Sequence, residues 1–189
     1  SGNFDFVGAK PDGSDLRVVG ADDRTPLNFS IEKFDGAGEL AVLWVQVPSV
    51  APGTDKNVIH VYAGNPEATA APAPAAVTDA GAALTLRFGE ADGVARDAGG
   101  GPVAATAPGT ADANGLIGSS ASFDGRQALE LPASDRVQAA AGAPYSLGLW
   151  VRPAGAGGTL LSQGPLSLAI ESGKLVLRLG GLRLEGGNL

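Results

Sequence analysis

Glycine and proline punctuate this chain throughout, with 29 glycines and 13 prolines among its 189 residues. Glycine weakens helices and proline breaks them, so a chain interrupted this often has little room for long helices. Between the interruptions lie short apolar or alternating runs, which are typical of β-strands. The sequence therefore predicts an all-β fold of antiparallel sheets, packed as sandwiches of the jelly-roll kind.

The predicted strands fall into two regions separated by a linker. Residues 66–83 carry prolines at positions 66, 72 and 74 among small side chains, a composition typical of a semi-extended linker. We therefore expect one β module over residues 1–65 and a second over 84–189. The predicted strands are 16–19, 29–34, 40–47 and 58–62 in the first module, and 83–88, 121–125, 128–131, 145–152, 159–162, 166–170 and 174–179 in the second. The pattern is strongest over 145–152.

Bulk composition excludes several functions. The net charge of −7 makes nucleic acid and anionic membrane surfaces poor partners. The absence of cysteine excludes disulfides, thiolate metal sites and cysteine nucleophiles. No apolar run approaches the ~18 residues of a membrane span, so this piece is not expected to insert into a membrane. Because the chain opens Ser-Gly-Asn and contains no methionine, we interpret it as a processed or excised piece of a longer protein.

Two stretches give the first module a recognisable pattern. The turn Gly8-Ala-Lys-Pro-Asp-Gly-Ser-Asp-Leu-Arg17 uses Pro11 to preset φ and the following Asp-Gly to reverse the chain. The strand Val58-Ile-His-Val-Tyr-Ala-Gly-Asn65 ends at a glycine. Together they resemble DUF2341, a bacterial domain of unknown function typical of extracytoplasmic proteins. The resemblance implies an extracytoplasmic location and assigns no chemistry.

The second module resembles a different family. The segments Gly115-Leu-Ile-Gly118, Ala121-Ser-Phe-Asp-Gly125, Leu129-Glu-Leu-Pro132 and Tyr145-Ser-Leu-Gly-Leu-Trp-Val-Arg-Pro153 are similar to the laminin-G and concanavalin A-like jelly rolls. The two resemblances side by side look like the sensor-like region of bacterial proteins related to the MotA/TolQ/ExbB proton channels. That resemblance implies a membrane-anchored parent protein, the periplasmic face of the inner membrane, and a glycan or an envelope protein as ligand. Compared with the two families, the first module lacks N-terminal strands and the second lacks C-terminal strands, which implies that the chain is cut inside both modules. The alternatives are accessory binding modules of a secreted polysaccharide-active enzyme, or a purely structural spacer.

Acidic residues near turns are the candidate ligand sites. Asp12, Asp15 and Arg17 form one candidate, since carboxylates beside an arginine can bind a sugar or a cation. Asp97, in an Asp-Ala-Gly-Gly-Gly stretch, and Asp124, in an Asp-Gly turn, are candidate calcium ligands. For the Asp12–Arg17 group and for Asp124, the alternative is a structural turn. For the Asp97 stretch, the alternative is a flexible connection.

The remaining chemistry-bearing residues are expected to be structural. Asp22-Asp23 lies in a hairpin connection, and His60, the single histidine, lies on the surface of a strand. Trp44 and Trp150 stand in apolar runs and are predicted to be core residues, with sugar stacking as the alternative. No nucleophile elbow, paired-carboxylate motif, dinucleotide loop or zinc spacing is present. We therefore expect a non-catalytic module with no cofactor other than calcium.

Overall fold

The computed structural model describes residues 4–69, 77–138 and 144–188, and over these ranges the protein is an antiparallel β structure. None of the described residues lies in an α-helix, so the predicted all-β class is confirmed. No described helix has the length and apolar character to cross a membrane. The strands are β1 (Arg17–Val19), β2 (Phe29–Asp35), β3 (Leu40–Val45), β4 (His60–Tyr62), β5 (Thr110–Asp112), β6 (Ser120–Ser122), β7 (Gly158–Gln163), β8 (Leu166–Glu171), β9 (Lys174–Leu179) and β10 (Leu182–Asn188).

The chain divides into two compact units. Unit 1 comprises Ser1–Phe123 and Ala128–Arg136, and unit 2 comprises Asp124–Gln127 and Val137–Leu189. Strands β1 to β6 therefore belong to unit 1, and β7 to β10 belong to unit 2.

The core of unit 1 lies where two ladders meet. One ladder pairs β1 with β4, and the other pairs β2 with β3. Leu16, Val18, Leu27 and Phe29 form the fully enclosed cluster between them. The alternation of apolar side chains places these residues on one face of each ladder. Around the cluster pack partly buried apolar residues: Phe4, Ile31, Phe34, Leu43 and Val45.

Unit 2 is built on a four-stranded antiparallel sheet in the order β10-β9-β8-β7. Successive strands are joined by tight turns, because each connection is only a few residues long and contains glycine. Burial is concentrated on β8, where Leu166, Leu168 and Ile170 are each at most 6% exposed. Exposure rises toward the β10 edge, so the outer strand contributes little to the core.

Several strand predictions are confirmed and several are wrong. Those within residues 16–62 and 159–179 overlap observed strands. The predicted strand 83–88 is only an isolated bridge between Leu86 and Asp97. Residues 128–131 and 145–152 form no strand, because no strand among the described residues pairs with them to supply ladder hydrogen bonds. Strands β5 and β10 were not predicted, since their small or glycine-rich segments carry little apolar signal.

Unit 1 contains residues from both predicted modules. Residues 84–123 group with the strands that precede the predicted linker, rather than with residues 144–188. One contact within unit 1 is the side chain of Arg87, which reaches back to β2 and β3. Residues 70–76 of the predicted linker lie outside the described residues. The division into modules 1–65 and 84–189, their packing as sandwiches, and the truncation of both modules stay predictions.

Candidate functional site

A buried carboxylate joins the two stretches that marked the first module in the sequence. Asp15 is 2% exposed. Its Oδ1 accepts a hydrogen bond from the backbone N–H of Lys10 at 2.9 Å, and its Oδ2 accepts one from Gly64 N–H at 2.6 Å. One side chain thus closes the turn at residues 10–15 and fastens it to the end of β4, 49 residues away. We call this arrangement the Asp15 anchor.

The pKa of Asp15 reflects this environment. Burial favours the neutral acid and by itself would raise the pKa. The N–H groups of Gly64 and Lys10 outweigh that effect, so the net pKa lies below the ordinary value of 3.8. Asp15 is therefore a carboxylate whose two oxygens are both occupied by backbone donors, which is a structural arrangement rather than an open ligand site.

Two cations extend the anchor along the chain that follows β4. The Lys10 ammonium donates to the carbonyl of Ala68 at 2.9 Å, and the Arg17 guanidinium donates to that of Thr69 at 2.8 Å. Arg17 also donates to the carbonyl of Leu16 at 2.6 Å. These contacts hold residues 68 and 69 against the turn.

Asp12, Asp15 and Arg17, predicted as one polar site, thus have separate structural roles. Asp12 is exposed and accepts the N–H of Ser14 at 3.0 Å, which closes an Asx turn and lowers its pKa. Gly13 lies between the two aspartates with φ of +67°. A Cβ there would lie 3.0 Å from the ring of Phe34, so both the backbone conformation and the packing favour glycine. The observed contacts of these three residues therefore agree with a structural turn, the alternative to a ligand site.

The hairpin connection after β1 is also held by carboxylates. Asp22 accepts the backbone N–H and the hydroxyl of Thr25, at 2.9 and 2.6 Å. The Tyr62 hydroxyl donates to Asp23, and this hydrogen bond raises the pKa of Tyr62. His60 lies half-buried in β4, opposite Val19 of β1. These contacts fix the hairpin and the β1–β4 ladder.

Asp97 forms a second buried anchor. Its side chain is 2% exposed and accepts the backbone N–H groups of Thr85, Gly99 and Gly101 at 3.0–3.1 Å. The guanidinium of Arg136 lies 3.9 Å away. Burial by itself would raise the pKa of Asp97. The three backbone N–H donors and the Arg136 charge outweigh that effect, so the pKa lies below its ordinary value. A Cβ at Gly101 would overlap the carboxylate, which explains glycine there.

The two candidate calcium ligands lie in different units. Asp124, in unit 2, accepts the N–H of Arg126 at 2.9 Å beside Gly125, whose φ is +83°. That is the geometry of an Asp-Gly turn. Within residues 4–69, 77–138 and 144–188, no three histidine or acidic side chains converge in a way that could hold a metal ion. Calcium binding at Asp97 or Asp124 stays a prediction.

Sequence reasoning missed a polar cluster on the β2–β3 ladder. The indole N–H of Trp44 donates to Glu32 at 2.8 Å, and the Arg87 guanidinium lies 4.9 Å from the centre of the Trp44 ring. Arg87 also donates to the buried Ser30 hydroxyl at 3.0 Å. Glu32 stands in a β-bulge, which the alternating pattern of β2 does not reveal. The cluster joins Arg87 to the β2–β3 ladder.

The prediction that both tryptophans are core residues is wrong. Trp44 is 37% exposed and Trp150 is 80% exposed. Trp44 faces away from the apolar cluster toward Glu32 and Arg87, and Trp150 lies in a segment with no partner strand among the described residues. An apolar run in the sequence therefore did not predict burial of these two side chains. A side chain on a strand is buried only where another strand, helix or loop packs over that face.

Asp15, Asp97 and the β1–β4 ladder lie between residues 12 and 97 of the sequence, whereas the donors Lys10, Gly99 and Gly101 lie just outside this range. Residues 12–97 match DUF2341, a domain of unknown function. This finding confirms the resemblance stated for the first module, and it extends the matched region through residues 66–83 to Asp97. No curated protein and no solved structure matches the chain.

Proposed function

We propose that this chain is a non-catalytic recognition and scaffold region on the extracytoplasmic side of a bacterial membrane. In unit 1, the buried carboxylates at positions 15 and 97 are occupied by backbone donors and serve to fix turns. That use of charge favours a rigid framework over acid–base chemistry, which needs a carboxyl within reach of a substrate proton. Residues 12–97 match DUF2341. Because that domain is typical of extracytoplasmic proteins, the match supports an extracytoplasmic location for this chain.

The observation that carries a binding role is the exposed apolar segment at residues 145–151 of unit 2. Trp150 is 80% exposed, and Leu149 and Val151 are 44% and 40% exposed. Tyr145 and Leu147 are 47% and 45% exposed. Contiguous apolar surface of this kind marks interaction sites on soluble proteins.

We assign a glycan as the ligand of this segment. A tryptophan presents a flat apolar face for the C–H groups of a sugar ring, together with an N–H donor for its hydroxyls. The resemblance of this segment to laminin-G and concanavalin A-like domains supports the same choice. The setting proposed from that resemblance is the periplasmic face of a MotA/TolQ/ExbB-related protein. Calcium at Asp124, which lies in the same unit as Trp150, is the cofactor proposed with it.

The test is a glycan-binding screen of the whole chain against cell-wall and plant-type polysaccharides, with and without calcium. The Trp150→Ala variant is compared with Trp44→Phe, which alters a tryptophan in the other unit. We expect saturable binding that Trp150→Ala abolishes and Trp44→Phe retains. If chelation of calcium abolishes glycan binding, calcium is part of the site. Absence of binding by the folded wild-type chain would overturn the glycan assignment and favour the structural spacer.

A further inference from the structure

Unit 1 contains an open apolar groove of about 440 Å³ beside the core cluster. The aromatic rings of Phe4 and Phe6 form one side, with an edge-to-face contact between ring centres 4.7 Å apart. Leu43 and the partly exposed side chains of Leu40 and Val61 form the rest of the wall. The volume falls in the range of small-ligand sites, roughly 300–1,000 Å³.

A single acidic group stands at this groove. Among the described residues that line it, Glu39 alone carries a charge. Glu39 is exposed, and its carboxylate pairs with none of the described cations. Its φ is +51°, because Glu39 closes the hairpin connection between β2 and β3. The hairpin thereby fixes the position of this carboxylate beside the groove.

The chemistry of the lining selects the occupant. The apolar wall offers few partners to sugar hydroxyls, which disfavours a glycan here. A cation is favoured by the Glu39 carboxylate, the one charged group among the described residues that line the groove. The net charge of −7 steers the same kind of partner toward the protein.

We propose that the groove binds a basic peptide segment of a partner protein, in which a lysine stands beside apolar residues. The apolar residues fill the groove between Phe6, Leu43 and Val61, and the ammonium group reaches Glu39. This site lies in unit 1, and it is separate from the glycan site assigned to unit 2. The chain would then bind a protein through one unit and a glycan through the other.

The experiment is a ¹⁵N NMR titration of the whole chain with the peptide acetyl-Gly-Leu-Lys-Leu-Gly-amide. Matched peptides carry norleucine or glutamate in place of the lysine. We expect the lysine peptide to shift the amide signals of residues 4–6, 39–43 and 61, and to bind more tightly than both matched peptides. Absence of shifts in these amides would overturn the site. Equal binding of the norleucine peptide would overturn the assignment of a cationic partner.

Two variants test the role of Glu39. Glu39→Gln should weaken binding of the lysine peptide about two- to fivefold, the range expected for one exposed ion pair. Asp55→Asn is the matched control, because it removes one negative charge from an exposed loop of the same unit. Leu40→Lys places a cation on the groove wall beside Glu39 and should abolish the preference for the lysine peptide.

Equal effects of Glu39→Gln and Asp55→Asn on binding of the lysine peptide would refute a specific contact with Glu39. Because Trp150 is intact throughout, these results are independent of the glycan screen.

Discussion

Replacing Asp15 by asparagine should destabilise unit 1 strongly, although the substitution changes little more than one oxygen. The Asp15 carboxylate accepts hydrogen bonds from two backbone N–H groups, at Lys10 and Gly64, and is 2% exposed. Asparagine offers one acceptor oxygen, so one N–H loses its partner and faces an NH₂ group instead. A charge-assisted hydrogen bond contributes about 1.5–3 kcal/mol, and a stranded buried donor costs about 1–3 kcal/mol. Relief of carboxylate desolvation offsets part of this sum, which leaves an expected loss of about 2–4 kcal/mol.

Asp12→Asn is the matched control, since it removes the same charge three residues away. Asp12 is exposed and accepts one N–H, and an asparagine oxygen can accept that bond equally well. The assay is urea unfolding followed by Trp44 fluorescence in a Trp150→Phe background, so that only unit 1 is observed. With a slope of about 2 kcal/mol/M, the Asp15→Asn midpoint should fall by about 1–2 M. If both variants unfold at the same urea concentration, the Asp15 anchor contributes nothing and the reasoning is refuted.

The same anchor predicts a pH dependence. The pKa of Asp15 is lowered in the folded protein from its ordinary value of 3.8. Its contribution to stability is therefore fully present above the unfolded pKa and is lost as the pH falls through the folded pKa. The difference in unfolding free energy between wild type and Asp15→Asn should be constant near pH 6 and should shrink below about pH 4. Other carboxylates titrate in both proteins and cancel in the difference. A difference that persists at low pH would contradict the assignment.

Two further predictions concern single sites. Gly13→Ala should destabilise unit 1 more than Gly53→Ala in the same urea assay: both glycines have φ of +67°, but a Cβ at Gly53 meets nothing within 4 Å. Equal losses would show that packing against the new methyl group is unimportant. Asp92 has a pKa lowered to about 2, chiefly by the side-chain hydrogen bond from Arg96. Arg96→Gln should raise that pKa toward 3.8, as followed by NMR titration of the Asp92 carboxyl carbon, and an unchanged pKa would exclude the ion pair in solution.

The sequence by itself determined the class of fold and the local turns. The reversal at Asp12-Gly13 and the strands β2, β7, β8 and β9 were all predictable. Each depends on contacts between residues close in sequence, such as the Asx turn that Asp12 closes with Ser14. Binary alternation also placed Phe29 of β2 on a buried face, because the side-chain period of a strand is fixed at two.

Only the tertiary structure decided which segments pair and which side chains are buried. Asp15 was predicted as a possible ligand-binding residue. Its hydrogen-bond partner Gly64 lies 49 residues away in the sequence, so a pattern of neighbouring residues could not predict this contact. The segment 145–152 has the strongest strand pattern in the sequence, but it is exposed and unpaired with any described strand, and Trp150 is exposed with it. Strand propensity measures how well a residue fits a sheet, whereas a strand exists only where a neighbour completes its hydrogen bonds. Whether a neighbouring strand is present depends on how the whole chain folds, and the pattern of one short segment does not contain that information.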